Sequence, residues 1–142
     1  MAKQLFYGFR VHIRICWPGV IVAVDLAPAN VHELAMVDEL TLNAQGWLLG
    51  DRNYWSPEKS QQLASQGLRL VAPFKFASRE DIPWPRWLTQ VRRRIETVVS
   101  QLVERFRAKR VWARDLWHLS CRWWRKILAH TFAVWFCYQL GA

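Results

Sequence analysis

The sequence predicts an α/β domain in which helices flank a mixed sheet. Three observations predict it: an alternating apolar and polar segment at residues 7–15, two short apolar segments at 46–50 and 68–72, and helical patterns between and after them. Strands that alternate with helices favour parallel additions to an antiparallel start. At 142 residues and 52% hydrophobic, the chain can bury one core, so we expect a single domain over 1–142.

The first two predicted strands form a hairpin. In residues 7–15 apolar side chains alternate with Arg10, His12 and Arg14, which predicts a half-buried strand with His12 on its polar face, in contact with solvent or phosphate. The Trp-Pro-Gly sequence at 17–19 predicts a turn. Residues 20–26 are almost continuously apolar, which is typical of a strand covered on both faces.

Helix-start signals divide the next part of the chain. Asn30, followed three positions later by Glu33, has the pattern of a capping box and predicts a helix over 31–44. Ser56 and Pro57 are typical of the N-cap and first residue of a helix, which reaches about residue 66 and stops at the glycine that follows.

A basic helix is predicted over residues 91–106. Its apolar side chains recur at steps of three and four: Val91, Ile95, Val98, Leu102 and Phe106. Glu96 lies on the flank of this stripe, one turn after Arg92. Two interpretations remain open: a surface ion pair between these two residues, or a metal-ligating Glu96 whose partner acid lies elsewhere. Residues 127–142 are predicted to form a buried terminal helix, too short to span a bilayer.

The positive charge is concentrated in one region. The net charge is +9 for the chain, and residues 92–126 hold eleven basic side chains against three acidic ones, a net of +8. Such a confined excess favours a nucleic-acid partner, with an anionic membrane surface second. The candidate DNA-binding residues are Arg92, Arg93, Arg105, Arg107, Lys109 and Arg110.

Cysteine and histidine spacing argues against several classes of site. Three cysteines without a CxxC motif indicate neither a disulfide framework nor a zinc knuckle, and they fit a reducing cytoplasm. His118 and Cys121, three apart on a predicted helix, are expected to pack in the core. The N-terminus lacks the pattern of a secretory signal.

Asp51 is the candidate second acid. It follows the predicted strand at 46–50, and ligands of open α/β sheets gather at the carboxyl ends of strands. An aspartate in this position is also common as a turn residue. Together, Asp51 and Glu96 would offer the carboxylate oxygens that hard divalent cations prefer, and phosphoryl transfer uses such cations as a clamp.

Three segments carry a resemblance to a known family. GDRNYWS, around Asp51, and RRRIETVVSQLVERF followed by VWARDLWHLSCRWWRKILAHT resemble the C-terminal part of DDE transposases of bacterial insertion sequences. The resemblance runs from about Phe6 to Leu140. It implies an RNase H-like mixed sheet with flanking helices. The first strand of this sheet is missing. Asp51 matches the family's second Asp, Glu96 its terminal Glu, and Arg92 the arginine four residues before that Glu.

The chain departs from the family pattern at three places. Thr89 stands where the signature has tyrosine, and Val103 where it has lysine. The first Asp of the family belongs to a strand preceding Tyr7, and Asp25 lies on the wrong strand to replace it. We therefore expect metal binding to be weakened and catalysis largely lost in these 142 residues.

The resemblance implies a function in DNA transposition. An intact enzyme of this kind would use Mg²⁺, or Mn²⁺, for DNA strand cleavage and strand transfer. Its partners would be DNA at insertion-sequence ends and either further copies of the chain or a complementing N-terminal fragment, with no membrane. A cytoplasmic, nucleoid-associated location is expected in a bacterium.

A non-enzymatic basic module is the alternative. Such a module would bind nucleic acid or an anionic membrane surface, and aromatic rings among the cations would serve as stacking surfaces. The tryptophans in question are Trp84, Trp87, Trp112, Trp117, Trp123 and Trp124. Core and interface packing is the interpretation that we favour for most of them. The two functions differ in geometry, since only the transposase requires Asp51 and Glu96 to face one another.

Overall fold

The chain folds into two compact units. The computed structural model describes residues 8–72, 86–109 and 111–141. One unit is Met1–Ile13 with Ala23–Leu88, and the other is Arg14–Val22 with Thr89–Ala142. The single domain over 1–142 stays a prediction, and each unit is described by itself.

The predicted hairpin is confirmed. Strands β1 (Phe9–Cys16) and β2 (Val20–Pro28) pair as a two-stranded sheet. A cis Trp17-Pro18 bond and Gly19 (φ 139°) make the turn, and the Gly19 N–H donates to the Cys16 carbonyl at 2.7 Å.

The predicted faces of the hairpin strands were wrong at two positions. His12 is 2% exposed, so it is a buried side chain and not a contact to solvent or phosphate. Val22 is 42% exposed, so β2 is not covered on both faces. Strict alternation assigned His12 to the polar face, but its hydrogen bond to Tyr54 makes burial of the ring possible.

The parallel strand pair of the first unit is confirmed. β3 (Gly46–Leu49) and β4 (Leu68–Val71) run parallel, with Gly46 opposite Leu68 and Leu49 opposite Val71. Helix α2 (Pro57–Ser65) connects them, and the Ser56 hydroxyl accepts the Lys59 N–H at 3.1 Å as predicted for its N-cap. Gly67 (φ 81°) ends the helix in a conformation that suits glycine.

A small core stabilises this unit. Its buried members come from α1, α2 and β4: Val37, Leu63, Leu68 and Leu70. Leu63 is completely buried, and Leu48, Tyr54 and Trp55 pack against the cluster. Apolar contacts therefore join α1, α2 and the parallel strand pair.

The capping box predicted at Asn30 was wrong. The Val31 N–H donates to the Pro28 carbonyl at 3.0 Å, which holds this segment in a turn. A 3₁₀ turn (Glu33–Met36) and a short helix α1 (Val37–Thr41) follow, and His32 is the N-cap, its Nδ1 accepting the Leu34 N–H at 3.1 Å. The helix is therefore shorter than the predicted 31–44.

Two long helices form most of the second unit. Helix α3 (Arg86–Glu104) begins earlier than the predicted residue 91, and its apolar stripe is confirmed by the burial of Val98 and Leu102. After α3, Arg107 (φ 50°) reverses the chain and the Ala108 N–H donates to the Leu102 carbonyl at 2.9 Å.

Helix α4 (Leu116–Gln139) follows, with Asp115 as its N-cap. The prediction of a buried terminal helix was wrong, because Ile127 and His130 are its only buried residues in the described range, and Trp135 and Tyr138 are at least half exposed. An apolar composition alone does not bury a helix, since burial also needs a facing surface.

The expected core position of His118 was also wrong. Its side chain is 48% exposed, and its Nδ1 lies 2.8 Å from the Asp115 carboxylate. Cys121 is half-buried. The pair therefore neither packs in the core together nor belongs to a larger cluster of metal-ligating side chains within the described ranges.

The architecture is mixed α/β, with small sheets and flanking helices. Within residues 8–72, 86–109 and 111–141 the hairpin and the parallel pair are separate two-stranded sheets. The predicted joining of all strands in one RNase H-like sheet is not seen in that part of the chain. Across the same ranges, we find no helix with the length and hydropathy of a bilayer span.

Candidate functional site

Asp51 lies at the carboxyl end of the parallel strand pair. β3 ends at Leu49, and the Gly50 N–H extends the ladder by donating to the Val71 carbonyl at 2.9 Å. The exposed Asp51 comes next, and its Oδ1 accepts the Arg52 N–H at 2.8 Å. It thereby caps a 3₁₀ turn, Arg52–Tyr54. Asp51 therefore has both of the roles that the sequence suggested for it: it follows a strand, and it begins a turn.

Gly50 permits this close turn. A Cβ at this position would lie 3.3 Å from Leu70 Cδ1 and 3.6 Å from Tyr54 Cβ. A Cβ here would require the Leu70 side chain to shift by a few tenths of an ångström. The glycine before Asp51 therefore lets the chain pass close to β4 without this shift.

A buried hydrogen bond holds the other end of the turn. Tyr54 Oη lies 2.7 Å from His12 Nδ1, and the two rings meet edge to face at 5.9 Å. Burial, followed by the negative charges of Glu33 and Asp51, raises the pKa of Tyr54 to about 12, while Arg10 opposes the shift. The hydroxyl stays protonated at neutral pH, and the direction of its hydrogen bond with His12 follows from the tautomer of the ring.

The second nitrogen of His12 has no partner within the described part of the chain. Nε2 is buried there without a hydrogen bond. Nearby, Arg10 forms an ion pair with Glu33 at 3.1 Å. Sequence alternation missed the connection between His12 and Tyr54, because the two residues are 42 positions apart and no local pattern joins them.

Glu96 is exposed on α3, as the stripe predicted. Arg92, one turn before it, is half-buried, and Val98 on the neighbouring face is 1% exposed. Glu96 belongs to the second unit and Asp51 to the first. Their meeting around a shared cation therefore stays a prediction.

Four of the six candidate DNA-binding side chains are exposed. These are Arg93, Arg105, Arg107 and Lys109. Arg92 is half-buried, and Arg110 lies outside the described residues. The exposed cations are accessible to a polyanion, and their role in DNA binding stays a prediction.

Other cations of this region bind the protein itself. The Arg94 guanidinium lies 4.7 Å from the centroid of the Trp17 ring, and a Cβ at Gly19 would lie 3.3 Å from Val98, so the hairpin turn packs on α3. Lys126 Nζ donates to the Phe106 carbonyl, and Arg122 donates to that of Trp112. These contacts stabilise the second unit.

Packing in the core does not account for most of the tryptophans, whereas their packing at an interface stays a prediction. Four are at least half exposed: Trp87 (54%), Trp112 (81%), Trp117 (74%) and Trp124 (51%). Trp123 is half-buried, and Trp84 lies outside the described residues. Within the first unit, Trp47 contacts Trp87 edge to face at 6.3 Å, and Arg69 stacks on Trp47 at 4.5 Å. The exposed rings remain accessible to partners.

The structure also brings together two acids that the sequence did not connect. A side-chain hydrogen bond with Asp25, followed by the negative charge of that residue, raises the pKa of Glu39. Asp25 is on β2 and Glu39 in the first turn of α1, so only folding places them side by side. No cluster of three or more metal-ligating side chains is found in the described ranges.

A model of the transposase DDE domain matches residues 2–112, which is most of the chain. The chain belongs to the transposase DDE domain family. Asp51 and Glu96 both lie within the matched range of this transposase, whereas α4 begins after it. No curated protein and no solved structure matches the chain.

Membership in this family gives the general function and partner. The chain is a transposase domain, transposition is its function in general terms, and DNA is the general class of its partner. DDE domains typically use divalent metal ions. The residues fit such an ion by their chemistry, because Asp51 and Glu96 present exposed carboxylates, the hard oxygen donors that Mg²⁺ and Mn²⁺ prefer.

Proposed function

We propose that the chain has an RNase H-like transposase core in which Asp51 and Glu96 are metal ligands. The observation that carries the proposal is the position of Asp51: it is exposed, directly after β3, at the carboxyl end of a parallel strand pair. Ligands of α/β sheets bind at that edge. Glu96 supports the proposal because it is an exposed acid with arginines close to it on the same helix.

The chemistry follows from the charges. A bound Mg²⁺ would lower the pKa of a water molecule and neutralise charge at the scissile phosphate. Asp51 and Glu96 would each donate a carboxylate oxygen to the ion, while Arg93, Arg105 and Lys109 would neutralise phosphates of the DNA backbone. Strand transfer would use the 3′-OH that cleavage frees.

Metal binding tests the assignment of the two acids. We expect Asp51→Asn and Glu96→Gln each to weaken Mn²⁺ binding at least about fivefold, measured by electron paramagnetic resonance of the free ion. Glu104→Gln is the matched control, because Glu104 is an exposed acid of the same helix whose carboxylate accepts the Ser100 hydroxyl at 2.9 Å. Equal losses for Glu96→Gln and Glu104→Gln would show that Glu96 has no special role.

Catalysis by the 142 residues alone is proposed to be very weak. Asp51 and Glu96 belong to no cluster of three or more metal-ligating side chains in the described ranges, so a cation would be held by fewer carboxylates than phosphoryl transfer normally uses. We expect no Mg²⁺-dependent nicking of supercoiled plasmid by the purified chain. Nicking that disappears in Glu96→Gln would contradict the inactivity and support the site.

A non-enzymatic DNA-binding module is the second candidate. The exposed Arg105, Arg107 and Lys109, just after α3, favour it because they can bind phosphates without any metal. The Asp51→Asn variant separates the two functions. If Mn²⁺ affects DNA binding and this substitution removes the effect, the result indicates the transposase site. If DNA binding never responds to Mn²⁺, the result indicates the module.

A cytoplasmic location remains a prediction.

A further inference from the structure

The turn that carries Asp51 is short and lies mostly on the surface. It is a 3₁₀ turn of three residues, Arg52–Tyr54, in which Arg52 and Asn53 are exposed, as Asp51 is. A single turn of this kind makes few backbone hydrogen bonds for the residues that it orders, so its own stability is small. A fixed position for the Asp51 carboxylate therefore needs contacts with the body of the unit.

Tyr54 supplies these contacts at the far end of the turn. Its backbone N–H donates to the Asp51 carbonyl at 3.1 Å, and its side chain packs against the core cluster around Leu63. Its hydroxyl lies 2.7 Å from Nδ1 of His12, which is 42 positions earlier, on β1. His12, Asp51 and Tyr54 belong to the same compact unit, so one side chain joins the turn to both the core and the hairpin strand.

His12 is a costly residue to bury at this place. It is 2% exposed, and its Nε2 is buried without a hydrogen bond within the described part of the chain. A buried nitrogen without a partner lowers stability, and replacing both partners of a buried hydrogen bond by apolar groups of the same shape is often nearly neutral. The pair with Tyr54 therefore adds little stability over an apolar pair. It adds instead a contact of fixed length and direction, which an apolar pair lacks.

A fixed carboxylate is what a metal ligand requires. A binding site holds its ligands to within about 0.5 Å of their working geometry through residues behind them. Loss of such supporting groups typically weakens metal binding by about 10- to 100-fold when they contact the ligand directly. His12 and Tyr54 act through the backbone of the turn, so a smaller effect is expected of them.

We propose that His12 and Tyr54 are positioning residues, whose buried hydrogen bond fixes the turn that presents the Asp51 carboxylate to a divalent cation. The inference rests on the proposed function, because that function makes Asp51 a metal ligand. Neither positioning residue would contact the ion itself.

A double variant separates positioning from stability. In His12→Leu/Tyr54→Phe both partners become apolar with little change of shape, so the midpoint of urea denaturation should stay close to that of the wild type. Mn²⁺ binding, measured by electron paramagnetic resonance of the free ion, should weaken by about threefold or more. The single variant Tyr54→Phe should lose both stability and Mn²⁺ affinity.

Thr41→Val is the matched control. The Thr41 hydroxyl is buried in the same unit and donates to the Val37 carbonyl at 2.7 Å. Valine has nearly the same shape, so the substitution removes a buried hydrogen bond and should lower stability. Because that bond lies within α1, Mn²⁺ affinity should remain that of the wild type.

Exchange of the Arg52 amide with solvent gives a measurement that needs no metal. This N–H donates to Asp51 Oδ1 at 2.8 Å, so its exchange reports how firmly the turn holds the carboxylate. In nuclear magnetic resonance of the metal-free chain, exchange should be about threefold faster or more in Tyr54→Phe and in the double variant. In Thr41→Val it should not change.

The possible results separate clearly. Weaker Mn²⁺ binding by the double variant, together with faster exchange at Arg52, supports the positioning role. Wild-type exchange at Arg52 in Tyr54→Phe overturns it, and so does wild-type Mn²⁺ affinity of the double variant where Asp51→Asn weakens binding. Wild-type Mn²⁺ binding by Asp51→Asn contradicts the proposed function as well, since no metal ligand is then left to position.

Discussion

At the scale of single residues, the hydrogen bond between Tyr54 and His12 decides how the loop after β3 is held. We expect Tyr54→Phe to lower the free energy of unfolding by about 1–3 kcal/mol, because it leaves Nδ1 of a buried histidine without a partner. Urea denaturation measures the change. Tyr138→Phe is the control, since Tyr138 is 69% exposed and should lose little. Equal effects in the two variants would contradict the prediction.

The pKa of Tyr54 also predicts a dependence on alkaline pH. The pKa is raised to about 12 in the folded protein, against about 10 for an unfolded tyrosine. The unfolded chain therefore loses this proton first, and stability should fall as pH rises from about 10 to about 12, whereas below that window this group adds no pH dependence. The measurement is the difference in unfolding free energy between wild type and Tyr54→Phe at several pH values. A difference that does not change across the window would contradict it.

His130 predicts a dependence on acid pH in the second unit. Burial lowers the pKa of His130 below its usual range. The unfolded chain therefore takes up this proton more readily, and stability should fall as pH decreases through about 6.5. His130→Gln should show less of this pH dependence than the wild-type chain. Thermal unfolding between mildly acidic and neutral pH gives the comparison.

At the scale of elements, helix α2 connects the parallel strands through Leu63. This side chain is 0% exposed within the cluster of Val37, Leu68 and Leu70. Leu63→Ala should cost about 2–5 kcal/mol of unfolding free energy, since the surrounding core closes the resulting cavity only in part. Gln61→Ala, at an exposed position of the same helix, should change stability by less than about 0.5 kcal/mol. Chemical denaturation of both variants provides the test.

Sequence patterns that act on the nearby backbone predicted the boundaries of several elements correctly. Ser56 with Pro57, the glycine at 67 and the turn at 17–19 gave correct boundaries, because each fixes its own dihedral angles or hydrogen bonds. The capping pattern at Asn30 gave an incorrect boundary. There the chain forms a turn, in which the Val31 N–H donates to the Pro28 carbonyl, and the 3₁₀ turn begins only after His32.

At the scale of the whole molecule, the positive charge predicts how DNA binding depends on salt. Each phosphate neutralised by a cation adds about 0.9 to the slope of log affinity against log salt concentration. We expect Arg93→Gln, Arg105→Gln and Lys109→Gln each to reduce the slope by up to about one unit, measured by fluorescence anisotropy with a DNA duplex. Arg10→Gln is the control, because Arg10 is already paired with Glu33. Unchanged slopes in all variants would exclude these residues from the DNA surface.

The sequence by itself determined the hairpin, the parallel strand pair, the basic helix and the family. These depend on periodicity, turn chemistry and motif spacing, which are properties of neighbouring residues. The tertiary structure alone decided that His12 is buried against Tyr54, that Asp25 meets Glu39, and that much of α4 stays exposed. The physical reason is that burial and pairing are relations between distant segments: a side chain is covered only if another part of the fold supplies the surface that covers it.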